Sequence, residues 1–153
     1  MHNQIARAEN NMKRLALALC FLLLNIMTNA QQSRLPADDS AAVRTTVTNY
    51  IEAYYVGDAR RMEQTLHPHY LKHLIHGDIP MRERTAADML QEVRSQGPAD
   101  LPQASKTEQV SVLDIAGSIA SAKLVTPGWV DYMMLEKVGG DWKILSVVQR
   151  IND

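Results

Sequence analysis

The chain has 153 residues, 46% of them hydrophobic, with 16 basic and 17 acidic side chains. That is one domain's worth of sequence with enough apolar material for one core. The charge balance offers no basic patch for nucleic acid and no acidic solvating tail.

The first thirty residues read as a segment apart. Lys13 and Arg14 precede the apolar run "LALALCFLLLNIM", and Thr28 and Ala30 supply small residues before polar "QQSR". Charged, apolar, then small is the order of a secretory signal, and the run is short for a bilayer span. Met12 is an alternative start. Cys20, the single cysteine, lies inside the run after Leu19, which is too large for a lipoprotein site. Cleavage after Ala30 would leave no cysteine, so disulfides, thiolate chemistry and Cys-based zinc sites are excluded from an exported chain. Removing Arg7, Glu9, Lys13 and Arg14 leaves 13 basic and 16 acidic residues, net −3. The expected organisation is a signal over 1–30, a linker over 31–37 and a single domain over 38–153. The expected location is the periplasm or the exterior, without stable membrane association after cleavage.

Along the domain, "DDSAAVRTTVTNYIEAYYVGD" offers Asp38, Asp39 or Ser40 as a helix cap. Val43, Val47, Tyr50, Ile51 and Tyr54 form an apolar stripe ended by Gly57. Asp58 can cap a second helix, "ARRMEQTL", with Pro68 as its stop. "TAADMLQEVRSQG" is a third, with Thr85 and Asp88 at capping-box spacing and Gly97 at its end. The chain then changes character. "EQVSVLDIA" and "IASAKLV" flank Gly117-Ser118, and "WVDYMMLEKV" and "DWKILSVVQRI" flank Gly139-Gly140, which predicts two hairpins. Helices followed by an antiparallel sheet argue for an α+β fold with the helices on one face.

"LHPHYLKHLIHGD", Leu66 to Asp78, holds four of the five histidines. As a helix it places His69, His73 and His76 on one face, and as a strand it places Leu71, His73 and Ile75 together. Periodicity mildly favours the helix.

The sequence of pieces resembles the nuclear transport factor 2-like superfamily. It is most similar to the small exported proteins labelled "putative lumazine-binding". Gly57-Asp58 followed by Leu66-His67-Pro68, and the closing "VDYMMLEKVGGDWKIL", carry the resemblance, which runs over about residues 40–150. It implies a curved, mostly antiparallel sheet wrapped round the first helix as a cone with an apolar cavity. It also implies that Tyr70–Ile75 is strand, against the periodicity. Nothing in the residues favours a pteridine over another flat ligand.

Three chemistries are open to this sequence. A metal site would use His69, His73 and His76, with Asp78 in reach, but it depends on the helical reading. The histidines read better as ordinary surface and pocket residues, so no metal and no cofactor is expected. Acid–base chemistry is implied by a likeness to the ketosteroid isomerase and SnoaL-like members. Their helical tyrosine lies seven residues before the closing glycine, as Tyr50 does before Gly57. Their inward acid begins a series matched by Asp131, Met133 and Leu135. Where those enzymes carry a catalytic aspartate this chain has His73–Leu74, so Tyr50, His73 and Asp131 are the catalytic candidates. The favoured expectation is a binding pocket for a small planar organic molecule. Tyr50, Tyr54, His67, His73, Trp129, Asp131, Met133 and Leu135 are its expected residues. Tyr55 and Trp142 are expected in the core. "KILSVVQRI" is apolar on both faces, which predicts a homodimer through the sheet.

Overall fold

The computed structural model describes residues 37–152. The expected signal segment (1–30) and residues 31–36 of the expected linker lie outside the described residues.

Helix α1 (Ala37–Val56) carries the expected stripe. Val43, Val47, Tyr50 and Ile51 are buried, and Tyr55 is buried on a neighbouring face. Asp38, Asp39 and Ser40, the expected cap candidates, lie within the first helical turns. Asp39 instead accepts from Lys137 Nζ at 2.6 Å and from Trp142 Nε1 at 3.1 Å, tying the start of α1 to the end of the sheet. Gly57 breaks the helix at φ +74°, and Asp58 caps α2 (Ala59–Thr65) by accepting from the Arg61 amide.

Pro68 does not end α2; the helix stops at Thr65, and Leu66 is already extended. A proline biases the preceding residue toward extended backbone, so strand entry begins ahead of it. Strand β1 (Leu66–His76) follows directly. Its pairing with β6 is interrupted between Leu66 and Leu71, where Pro68 can lack an amide without breaking a ladder. Tyr70–Ile75 is therefore strand, as the family resemblance implied and against its periodicity, and Gly77-Asp78 is the turn that follows.

Strand β2 (Ile79–Thr85) was not anticipated. Helix α3 (Ala86–Gln96) follows with the predicted Thr85–Asp88 capping box in place. A 3-10 turn at Gln103–Ser105 leads to β3 (Gln109–Ala116), β4 (Ile119–Val125), β5 (Trp129–Val138) and β6 (Asp141–Ile151). The strands form one mixed sheet in the order β2-β1-β6-β5-β4-β3. The β3–β4 and β5–β6 hairpins turn at the two predicted sites. Every neighbouring pair is antiparallel except β1–β6.

α1 packs across β3, β4 and β6, while α3 closes over β1 and β2. The inner face alternates cleanly along β5, where Asp131, Met133 and Leu135 are buried while Tyr132 and Met134 are exposed. This is the α+β cone that the resemblance implied.

Candidate functional site

The inner face of β1 carries Tyr70, Lys72 and Leu74, and the outer face carries His67, His69, His73 and Ile75. That phase decides the site. A cavity of about 310 Å³ opens between the inner faces of β1 and β2, the ends of β5 and β6, and helices α1 and α3. Tyr50 and Tyr54 face it from α1, Trp129 from β5 and Lys72 from β1. Leu74, Met89 and Ile151 give it apolar walls, and Arg82, Arg84, Glu92 and Gln149 complete it.

Tyr54 and Trp129 meet edge-on, with ring centroids 5.9 Å apart and planes at 86°. Such a pair presents rigid apolar surface at little entropic cost.

Behind these rings lies a buried polar cluster. Lys72 is 5% exposed and Asp131 fully buried, and Lys72 Nζ stands 3.5 Å from Asp131 Oδ2. The same ammonium donates to the Tyr50 hydroxyl at 3.1 Å, and Tyr50 and Tyr70 hydroxyls lie 3.2 Å apart. Burial pushes both phenols well above their ordinary range, and the Asp131 charge adds to the effect at Tyr50. Both tyrosines are therefore neutral donors at physiological pH. Burial also raises the Asp131 carboxyl above its ordinary 3.8, and Lys72 pulls it back without cancelling the effect. Asp131 Oδ1 and Trp129 Nε1 are buried and complete no hydrogen bond. The Gln149 and Trp129 side chains still approach the carboxyl closely enough to favour its ionised form.

The expected site residues divide by face. Tyr50, Tyr54 and Trp129 line the cavity, and Asp131 sits behind that lining. Met133 and Leu135 follow Asp131 along the inner face but are core side chains, 2% and 1% exposed. His73 is not at the cavity: its Nε2 lies 3.1 Å from Glu83 Oε1 on the outer face. His67 is there too, with Nε2 3.4 Å from Glu136 Oε2. Strand alternation, with Lys72 and Leu74 inward, sends both histidines out. The described residues contain no group of three or more His, Cys, Asp or Glu side chains placed to hold a metal ion. Tyr55 and Trp142 are core residues, as expected, and each satisfies its polar atom, Tyr55 on the Thr107 carbonyl and Trp142 on Asp39.

Sequence reasoning missed Lys72, Arg82, Arg84 and Gln149. The available signal was the period-2 series Tyr70-Lys72-Leu74, which carries one aromatic, one cation and one aliphatic residue. It was masked by Leu71 and Ile75, which make the opposite face look like the buried one.

The chain was compared with known families and structures. The family model described as "Putative lumazine-binding" matches residues 38–149. No curated protein matches the chain at comparable significance. Among solved structures, a nuclear transport factor 2-like protein of unknown function from Silicibacter pomeroyi DSS-3 superposes with a TM-score of 0.64. It is 16% identical, over 78% of this chain and 100% of that one. A nuclear transport factor 2-like protein from Methylobacillus flagellatus KT gives 0.63 at 21% identity, over 78% and 97%. A ketosteroid isomerase-like protein from Erwinia carotovora atroseptica SCRI1043 gives 0.55 at 11% identity, over 75% and 97%. These likenesses show a common fold, and the family match covers nearly all of the described residues. The chain belongs to the "Putative lumazine-binding" family and shares its fold with nuclear transport factor 2-like proteins.

Proposed function

We propose that the protein is an exported binder of a small planar organic molecule, held between Tyr50, Tyr54 and Trp129 with Lys72 as its polar anchor. The observation that carries this reading is the cavity itself. It has the size of a small-ligand site, aromatic surface on two sides and one buried ammonium. Lys72 has three N–H donors, and Tyr50 and Asp131 take two of them. The third is available to an acceptor on the ligand. Family membership supports small-molecule binding in general without selecting the molecule.

Native mass spectrometry of the protein purified gently from its own source tests the proposal. A stoichiometric organic adduct, lost in a Tyr54→Ala/Trp129→Ala variant that still folds, is the expected result. An empty chain that also takes up no planar probe in solution would overturn it. Export has its own test, because N-terminal sequencing of the mature protein should begin at Gln31. The same spectrum reads the proposed homodimer, which would pair through the outer face of the sheet.

A second reading, acid–base chemistry, rests on the Lys72–Tyr50 hydrogen bond. A neutral phenol polarised by an ammonium can donate to a developing oxyanion. Its proton acceptor cannot be His73, which lies on the other face. Turnover of a ketosteroid panel, lost in Tyr50→Phe, would establish this reading, and no turnover above buffer would remove it.

A further inference from the structure

We propose that the ligand of this cavity is an anion, a planar carboxylate whose acid group is taken by Arg82. This rests on the binding reading above and narrows it to a chemical class.

The register of the sheet carries the argument. Arg84 on β2 pairs directly with Lys72 on β1, and Arg82 pairs with Leu74. All four residues line the cavity, so three cations share one small concave surface. Like charges on facing positions of neighbouring strands are unfavourable unless each is answered. Two are answered. Arg84 Nε lies 3.3 Å from Glu92 Oε2, and Lys72 lies 3.5 Å from Asp131 Oδ2. Arg82 has no carboxylate or hydrogen-bond acceptor among the described residues. Three cations therefore stand against two carboxylates, and the unmatched charge is the guanidinium of Arg82.

A guanidinium presents a planar fork that matches a carboxylate with two parallel hydrogen bonds. Arg82 is the diagonal neighbour of Lys72 across the β1–β2 ladder, with backbones roughly 7–8 Å apart. A fused-ring acid bridges such a distance, with its carboxylate on Arg82 and a ring acceptor on the spare Lys72 proton. Its flat body would lie over Leu74 and against Trp129 and Tyr54. The three apolar walls exclude water from the ring, and Arg82, itself exposed, keeps the acid group at the mouth.

The test is isothermal titration of the full mature chain with 2-naphthoate and its neutral isostere 2-naphthamide. The carboxylate should bind about tenfold more tightly than the amide, the scale of one charge-assisted contact. Raising the salt should weaken the acid and leave the amide unchanged. Arg82→Gln should abolish the preference with an unchanged thermal melt, and Arg82→Lys should keep part of it. Amide binding equal to or tighter than the acid would overturn the anionic assignment while leaving a ligand cavity in place. Binding of neither probe would remove both the anionic assignment and the cavity reading. Preference for the acid that survives Arg82→Gln would refute the role of Arg82.

Discussion

At the scale of single residues the protein has committed one buried charge pair, Lys72 and Asp131, where most members of a core would be apolar. Both ions are desolvated, and a pair of this kind is hard to improve but easy to break. Lys72→Met should therefore lose about 3–5 kcal/mol of stability by leaving an ionised carboxylate unmatched. The double variant Lys72→Met/Asp131→Leu should regain much of that, and urea unfolding of the three proteins measures both steps. Loss of equal size in the double variant would mean that packing, not charge, explains the effect. The pH dependence has a definite sign. The folded Asp131 carboxyl holds its proton more tightly than the unfolded one, because burial raises it above 3.8. Its contribution to stability is thus complete below about pH 3.8 and is lost as pH rises through the raised value. The melting temperature of the wild type relative to Asp131→Asn should fall as pH increases from about 3.5 toward 6. A difference that grows with pH would mean that Lys72 outweighs burial. Of these residues, Asp131 was legible as the start of an inward Asp131-Met133-Leu135 series on a strand whose alternation is clean. Lys72 was not, because a lysine among four histidines reads as a solvated residue until the strand phase is known.

At the scale of elements, the cavity depends on how α3 is held over β1 and β2. Met89 and Glu92 project from that helix into the site, so anything that frays its first turn loosens one wall. Thr85 and Asp88 close the turn reciprocally. The Asp88 amide donates to the Thr85 hydroxyl oxygen, and the Thr85 amide donates to Asp88 Oδ2. Thr85→Ala should cost about 1 kcal/mol, within the usual range for a lost cap, and calorimetric melting measures it. A second joint lies at Gly57. Its φ of +74° already disfavours a side chain, and an added Cβ would sit 2.4 Å from the carbonyl carbon of Gly97 at the end of α3. Gly57→Ala should destabilise the fold by at least about 2 kcal/mol, since backbone on both sides must give way. A neutral Gly57→Ala would show that the corner relaxes freely. Both joints were readable as cap and stop signals, because those signals are local. So were the two glycine-turn hairpins, whose strands alternate. Strand β2 was not readable: "IPMRERT" is short, contains a proline and is exposed at nearly every position. An edge strand of this composition carries no burial pattern, and it exists because β1 offers a ladder. Its hidden contribution, the pair Arg82 and Arg84, is the part of the site that the sequence left least visible.

At the scale of the whole molecule, the sheet has one face more than its own helices can cover. The inner face packs on α1 and α3. The outer face presents Tyr132, Val148, Met134 and Ile75, each more than two fifths exposed. Tyr132 and Val148 are direct cross-strand partners, and Val148 pairs in turn with His73 on β1. The exposed apolar side chains therefore meet on β5 and β6, flanked by Lys123 on β4 and by the His73–Glu83 pair on β1 and β2. The misleading periodicity of β1 has the same origin, because Leu71 and Ile75 point to this outer face rather than to the core. An apolar centre with a charged rim is the anatomy of a protein interface, and a stable one needs about 800 Å² from each partner. A second copy of the same sheet, turned about a twofold axis, would set identical residues on both sides of such a contact. The proposed homodimer can therefore be broken at one place. Tyr132→Glu puts two like charges near the centre of a self-complementary contact and removes its largest side chain, yet on an isolated chain it alters only an exposed position. Light scattering of the wild type should give the mass of two chains, and of Tyr132→Glu the mass of one, with the melting temperature of the dilute monomer unchanged. Retention of the dimer in that variant would place the interface elsewhere, and a monomeric wild type at working concentration would leave the band exposed for a different partner.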